Sequence, residues 1–139
     1  MANLYHPAHI ETARRVAIIT AWISAALYAL IGLGVLPIGQ SASGGDPGLF
    51  DFGVMMAAVF VVTALLLMLF RSTVLWVAVA VLQFAVLIGY AALSGYRIPA
   101  FEVWGLLVKV DQAILLAATL YLVIRGRQHA PATTSRHAS

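Results

Sequence analysis

The chain has 139 residues, 63% of them hydrophobic and 9% charged, with a formal net charge of +3 and no cysteine. A soluble domain carries about a quarter charged residues and could not hide this much apolar surface in a core of this size, so a soluble globular protein is excluded. Without cysteine there are no disulfides, iron–sulfur clusters or thiolate metal sites, and the arginines stand at the ends of apolar runs, where they orient a membrane protein rather than grip nucleic acid.

In chain order, residues 1–15 (MANLYHPAHIETARR) form a short polar segment ending in Arg14-Arg15. The apolar run 16–36, closed by Pro37 and Gly39, is long enough to span. About 20 helical residues at about 1.5 Å each cross a hydrocarbon core of about 30 Å. A signal peptide competes for this segment, with Arg14-Arg15 as its basic flank and Ser41-Ala42-Ser43 as a small-x-small cleavage site. The run exceeds the usual apolar length of about 7–15 residues, which favours an uncleaved span. The linker IGQSASGGDPG reads as an aqueous loop.

The second span, 52–70, is almost purely aliphatic, with Thr63 its polar residue of note. Arg71, Ser72 and Thr73 separate it from the third span, 74–93, and so short a connection predicts an antiparallel hairpin of these two helices. The loop SGYRIP leads to the fourth span, 101–124, and residues 125–139 read as a disordered polar tail. The expected fold is therefore all-α, a polytopic four-transmembrane-helix bundle running up-down-up-down. No repeat is visible, because the third and fourth spans carry polar residues that the second lacks.

With both termini on one side, that side holds Arg14, Arg15, Arg71, Arg125, Arg127 and Arg136, and the other holds Arg97 beside Asp46 and Asp51. This imbalance places both termini in the cytoplasm of a multi-pass cell-membrane protein.

The fourth span carries the chemistry. Asp111 is followed by too few apolar residues before Arg125 to cross the core, so the helix must reach back toward Glu102. Glu102 then lies near the outer interface, and Lys109 and Asp111 near mid-depth. A central charge costs about 2.5–3.5 kcal/mol on insertion scales, so such residues face a bundle interior or a cavity. Glu102 and Lys109 share a face, whereas Asp111 stands about 200° from Lys109. Covering both faces favours a second subunit. Gln83 and Tyr90 on the third span are the expected partners, with Gln83 at the depth of Asp111 and Gln112, and Ser24 and Tyr28 lie on a polar line of the first span, so a candidate polar site of these residues opens outward between spans one, three and four. Arg97 is expected beside Glu102. Singly, Ser24, Thr20, Thr63 and Gln83 read better as interhelical glue worth about 0.6–2 kcal/mol each. On the first span Ala17, Ala21, Ala25 and Ala29 recur every four residues, a packing seam for another helix.

All four histidines, His6, His9, His129 and His137, lie in the polar ends, so no intramembrane histidine can hold haem or a transition metal, and no cofactor or metal is expected. No phosphate loop or nucleophile elbow occurs. Expected partners are membrane lipids and either further copies of the chain or a partner membrane protein, not nucleic acid. By parsimony the sequence favours a non-enzymatic structural or accessory membrane protein. A small oligomeric transporter or channel using Glu102, Lys109 and Asp111 comes next, and an intramembrane enzyme acting on a lipid-like substrate last.

Overall fold

Hydrocarbon offers a backbone no hydrogen bonds, so a single apolar segment must satisfy its own amides, which a helix does. The computed structural model describes residues 7–36, 40–41, 49–94, 97–98 and 103–128. Among the described residues there are four α-helices: α1 (Pro7–Gly32), α2 (Leu49–Leu69), α3 (Thr73–Ser94) and α4 (Val103–Gln128). Each is long and apolar enough to cross a membrane. A two-residue antiparallel pairing of β1 (Gln40–Ser41) with β2 (Arg97–Ile98) ties the α1–α2 connection to the α3–α4 connection, with Gln40 opposite Ile98 and Ser41 opposite Arg97.

Helix α1 starts at Pro7, well ahead of the apolar run at Val16. Proline at the first helical position sacrifices no hydrogen bond and presets φ. The polar turns that follow hold together because Glu11 lies 3.5 Å from Arg14 and 3.9 Å from Arg15, one turn on. At the far end Gly34 takes a left-handed φ of 71°, and the Val35 N–H turns back to donate to Leu30 O at 2.9 Å, closing the last turn. Helix α4 runs on through Arg125 and Gly126 to Gln128, past the end of its apolar run.

Helix α1 packs on α2 and on α4, and α4 packs on α3. The hairpin expected of α2 and α3 does not develop: the two helices scarcely touch, although Phe70, Arg71 and Ser72 alone connect them. Each finds a more complementary surface elsewhere. For α2 that surface is the small-residue face of α1. A Cβ placed on Gly53 would collide with Gly32 Cα and lie 2.6 Å from Gly32 N and 2.9 Å from Tyr28 O, so the two backbones are in contact there. Ala17, Ala21 and Ala25 are buried in one cluster with Phe60, Ala64 and Leu67 of α2, and Ala29 is half-buried. The alanine seam is thus consumed inside the chain. At the opposite end the buried Arg14 guanidinium donates to Leu67 O at 3.0 Å and to Met68 O, two of the last carbonyls of α2, which have no partner within their own helix. Opposite ends of α1 therefore meet opposite ends of α2. The same holds for α3 and α4, where Tyr90 rests against Gly105 and Trp76 against Gly126.

The interior mixes large apolar side chains (Phe60, Leu67, Leu115, Leu122) with small and polar ones (Ala17, Ala21, Ser24, Gln83, Asp111, Gln112, Thr119), and Ile19, Ile23, Val62, Leu65, Val81, Phe84, Leu106 and Val110 point outward. An apolar exterior with polar groups kept inside suits a lipid solvent, in which close packing and hydrogen bonds rather than apolar burial hold helices together.

Replacing Gly53 by alanine should lower stability in detergent by about 1–3 kcal/mol, the usual cost of overpacking. Gly89→Ala, where an added Cβ meets nothing within 4 Å, should leave stability unchanged or slightly raised. Equal unfolding midpoints for the two variants would show that the α1–α2 approach carries little of the stability.

Candidate functional site

One stripe of α4 is buried: Val108, Asp111, Gln112, Leu115, Thr119 and Leu122 recur at helical spacing. Lys109 borders this stripe and is half-buried. Counting from Val103, Lys109 and Asp111 lie about 9 and 12 Å along the helix, in the half of the bundle nearer the β1–β2 pairing.

Lys109 and Asp111 turn to different partners. The Asp111 carboxylate accepts a hydrogen bond of 2.6 Å from the Ser24 hydroxyl of α1, itself wholly buried. The face expected to need a second subunit is therefore covered by α1 of the same chain. The Lys109 ammonium donates to Gln112 Oε1 at 2.7 Å and to the Tyr28 hydroxyl at 3.2 Å, and Gln112 Nε2 donates to the same hydroxyl at 3.0 Å. These three side chains close a triangle between α1 and α4. The ammonium also lies 4.7 Å from the centre of the Tyr90 ring of α3 and 5.8 Å from that of Tyr28, within range of cation–π attraction. The Lys109 stem thus ends among polar partners from α1, α3 and α4 and has no need to climb to the headgroups.

Neighbouring elements aim these groups. The Tyr28 ring stacks on Phe60 of α2, with centres 5.5 Å apart and planes 11° from parallel, and meets Phe52 edge-on at 6.1 Å. Helix α2 holds the ring, and the phenol oxygen is left facing α4. Gly105 makes room for Tyr90: a Cβ there would lie 2.9 Å from the Tyr90 oxygen.

Of the residues singled out from sequence, Ser24, Tyr28, Tyr90, Lys109, Asp111 and Gln112 come together at adjacent turns. Gln83 does not join them. It is wholly buried, and neither its Oε1 nor its Nε2 has a hydrogen-bond partner among the described residues. Its level, midway between the Tyr90–Gly105 and Trp76–Gly126 contacts, falls opposite residues 115–116, about one turn beyond Asp111 and Gln112. Glu102 lies outside the described residues, as does the expected pairing of Arg97 with it. Thr20 and Thr63 are not interhelical glue, since each hydroxyl donates to a carbonyl of its own helix, Val16 and Val59 respectively, at 2.8–2.9 Å, and Thr119 likewise donates to Leu115 O at 2.9 Å.

Sequence reasoning missed a second polar cluster at the other end of the bundle. Glu11 gathers Arg14, Arg15 and, at 3.3 Å, Arg71 from the α2–α3 connection. Glu11 precedes the apolar run, where it looks like any solvated charge. The available signal was the need of the α2 carbonyls for a donor, which Arg14 meets.

Chemically these side chains present one carboxylate, one ammonium, two phenols and an amide. That set can bind a small ion or carry a proton, and among the described residues it includes a single carboxylate, Asp111. In comparisons with protein-family models, curated proteins and solved structures, nothing matches this chain.

Tyr28→Phe keeps the ring stack but removes the oxygen shared by Lys109 and Gln112. It should cost about 1.5–3 kcal/mol of stability, the value of a hydrogen bond to a charged group. In a double-mutant cycle with Gln112→Leu the two changes should couple by about 0.5–3 kcal/mol, and strict additivity would dissolve the triangle.

Proposed function

We propose that this protein is a small transporter or channel of the cell membrane that moves a proton or a small ion, with Asp111 as the binding carboxylate and Lys109 as a fixed counter-charge. The observation that carries this reading is the separation of the two charges. An acid and a base placed in a core only to hold helices together would be expected to neutralise each other, because an unpaired buried charge is the costly alternative. Here each is held by neutral groups instead, Asp111 by Ser24 and Lys109 by Tyr28 and Gln112. A hydroxyl on a carboxylate is readily exchanged for a proton or a cation, and the nearby ammonium limits how much positive charge the site accepts.

A self-associating structural or accessory role would draw on the alanine seam and the charged fourth helix. Ala17, Ala21 and Ala25 of that seam, with Lys109 and Asp111 of that helix, have partners within one chain, which favours the transport reading. The basic side chains support an orientation with both termini cytoplasmic, and there Arg15 and Arg71, exposed apart from their contact with Glu11, meet lipid headgroups.

In proteoliposomes carrying a pH-sensitive dye and a potassium diffusion potential, the wild type should show proton flux above empty vesicles. Asp111→Asn should lower that flux by about tenfold or more, the effect of removing about 1.4 kcal/mol or more of site stabilisation, while folding and monodispersity persist. Flux no greater than in empty vesicles, or flux indifferent to Asp111, would reject the proposal. Orientation has its own test, since the native chain has no cysteine. A cysteine at Ser135 should be shielded from impermeant maleimide in intact cells and one at Ser41 should be labelled; the reverse pattern would invert the topology.

A further inference from the structure

Trp76, Gln83 and Tyr90 recur at seven-residue intervals on α3, which brings each to within about 20° of the last. The two ends of this line are located against α4: Tyr90 lies at Gly105, and Trp76 at Gly126, where an added Cβ would be 2.6 Å from the indole. Gln83 stands midway, with Gln112 and Thr119 of α4 one turn to either side of its level. Tyr90 leads directly to Lys109, whose ammonium lies over its ring. Deeper along the line, Gln83 Oε1 and Nε2 and Trp76 Nε1 are all buried without a hydrogen-bond partner among the described residues.

A primary amide sealed among helices with neither its donors nor its acceptor engaged is a severe expense in hydrocarbon, and a methionine would fill the same space without it. Whatever meets Gln83 has to accept from Nε2 and donate to Oε1. A metal cation accepts no hydrogen bond and a carboxylate donates none, so the complement is neutral and of both characters. Water is the smallest species that qualifies. Successive positions on the line are about 10 Å apart, a distance bridged by about three hydrogen-bonded waters.

We propose that the α3–α4 seam binds ordered water at Gln83, and that Trp76, Gln83 and Tyr90 mark a hydrated file running from the Lys109 cluster toward the Gly126 end of α4. The use of the file for translocation rests on the reading of Asp111 and Lys109 above; the water site stands on Gln83 itself.

The test uses the full chain in lipid nanodiscs with ¹⁵N at the glutamine side-chain amides, the Gln83 signal being assigned through Gln83→Met and, independently, by elimination with Gln40→Ala, Gln112→Leu and Gln128→Ala. Magnetisation transfer from water to the Gln83 amide, with exchange of that amide into deuterated solvent, is the expected result. An amide that receives nothing from water and stays protonated in deuterated solvent would overturn the site. Thermal unfolding gives a second reading: with water bound, Gln83→Met should melt at or below the wild-type midpoint, and a clear rise would mean that a dry, unsatisfied amide had been removed. In proteoliposomes the same variant should lose about tenfold in proton flux, the kinetic counterpart of losing one hydrogen-bonded position. A water signal at Gln83 in a wild type without flux would reject translocation and keep the site. Flux that survives Gln83→Met unchanged would remove the file from the pathway.

Discussion

A carboxylate and an ammonium two residues apart on a helix point about 200° away from each other, so no single side chain can receive both, and lipid can receive neither without heavy cost. The arrangement of the other helices follows from that constraint on α4. Helix α1 supplies Ser24 to Asp111 and Tyr28 to Lys109, and α3 lays the Tyr90 ring beside the same ammonium. With α4 held between α1 and α3, the helix without a polar partner to offer, α2, is left to flank α1 on its other side. The short α2–α3 connection brings these two helices close only at its own turn, because chain proximity is a weaker demand than satisfying buried charge.

Helix α2 nevertheless shapes the site at second hand. Its backbone touches that of α1 at Gly53 and Gly32, its terminal carbonyls are bound by Arg14, and its Phe52 and Phe60 hold the Tyr28 ring. Contacts at both ends and in the middle of α1 leave it little freedom to slide or turn. Ser24 and Tyr28 are thereby presented to α4 at fixed heights. The aliphatic face of α2 is spent on lipid, and its aromatic and glycine positions on this rigid backing.

The polar interior is uneven in a way that bears on function. Around Lys109 the donors and acceptors are matched into a closed triangle, and the three buried threonines are content within their own helices. Along α3, among the described residues, Gln83 and Trp76 have buried polar atoms without a hydrogen-bond partner.

Much of the fold was legible from one dimension. Apolar runs of spanning length, a lack of charge and punctuation by Gly, Pro and Arg are local properties, and in lipid they dictate helices because no other backbone form satisfies itself within a segment. The cost of a buried charge is likewise local, so Lys109 and Asp111 could be marked as the residues to watch, and helical periodicity found the alanine seam and the divergence of the two charges. Which helix would answer each side chain was not local. Ser24, Tyr28 and Gln112 were visible as polar residues at suitable depth, but Gln83 had equal claim and was left apart, and the α2–α3 hairpin suggested by a short connector gave way to packing of α2 on α1 and of α3 on α4. Partner choice among four apolar rods turns on close approach at positions such as Gly32 and Gly53 and on matching donors to acceptors across helices. Those are properties of two surfaces brought together, and only the tertiary structure decided them.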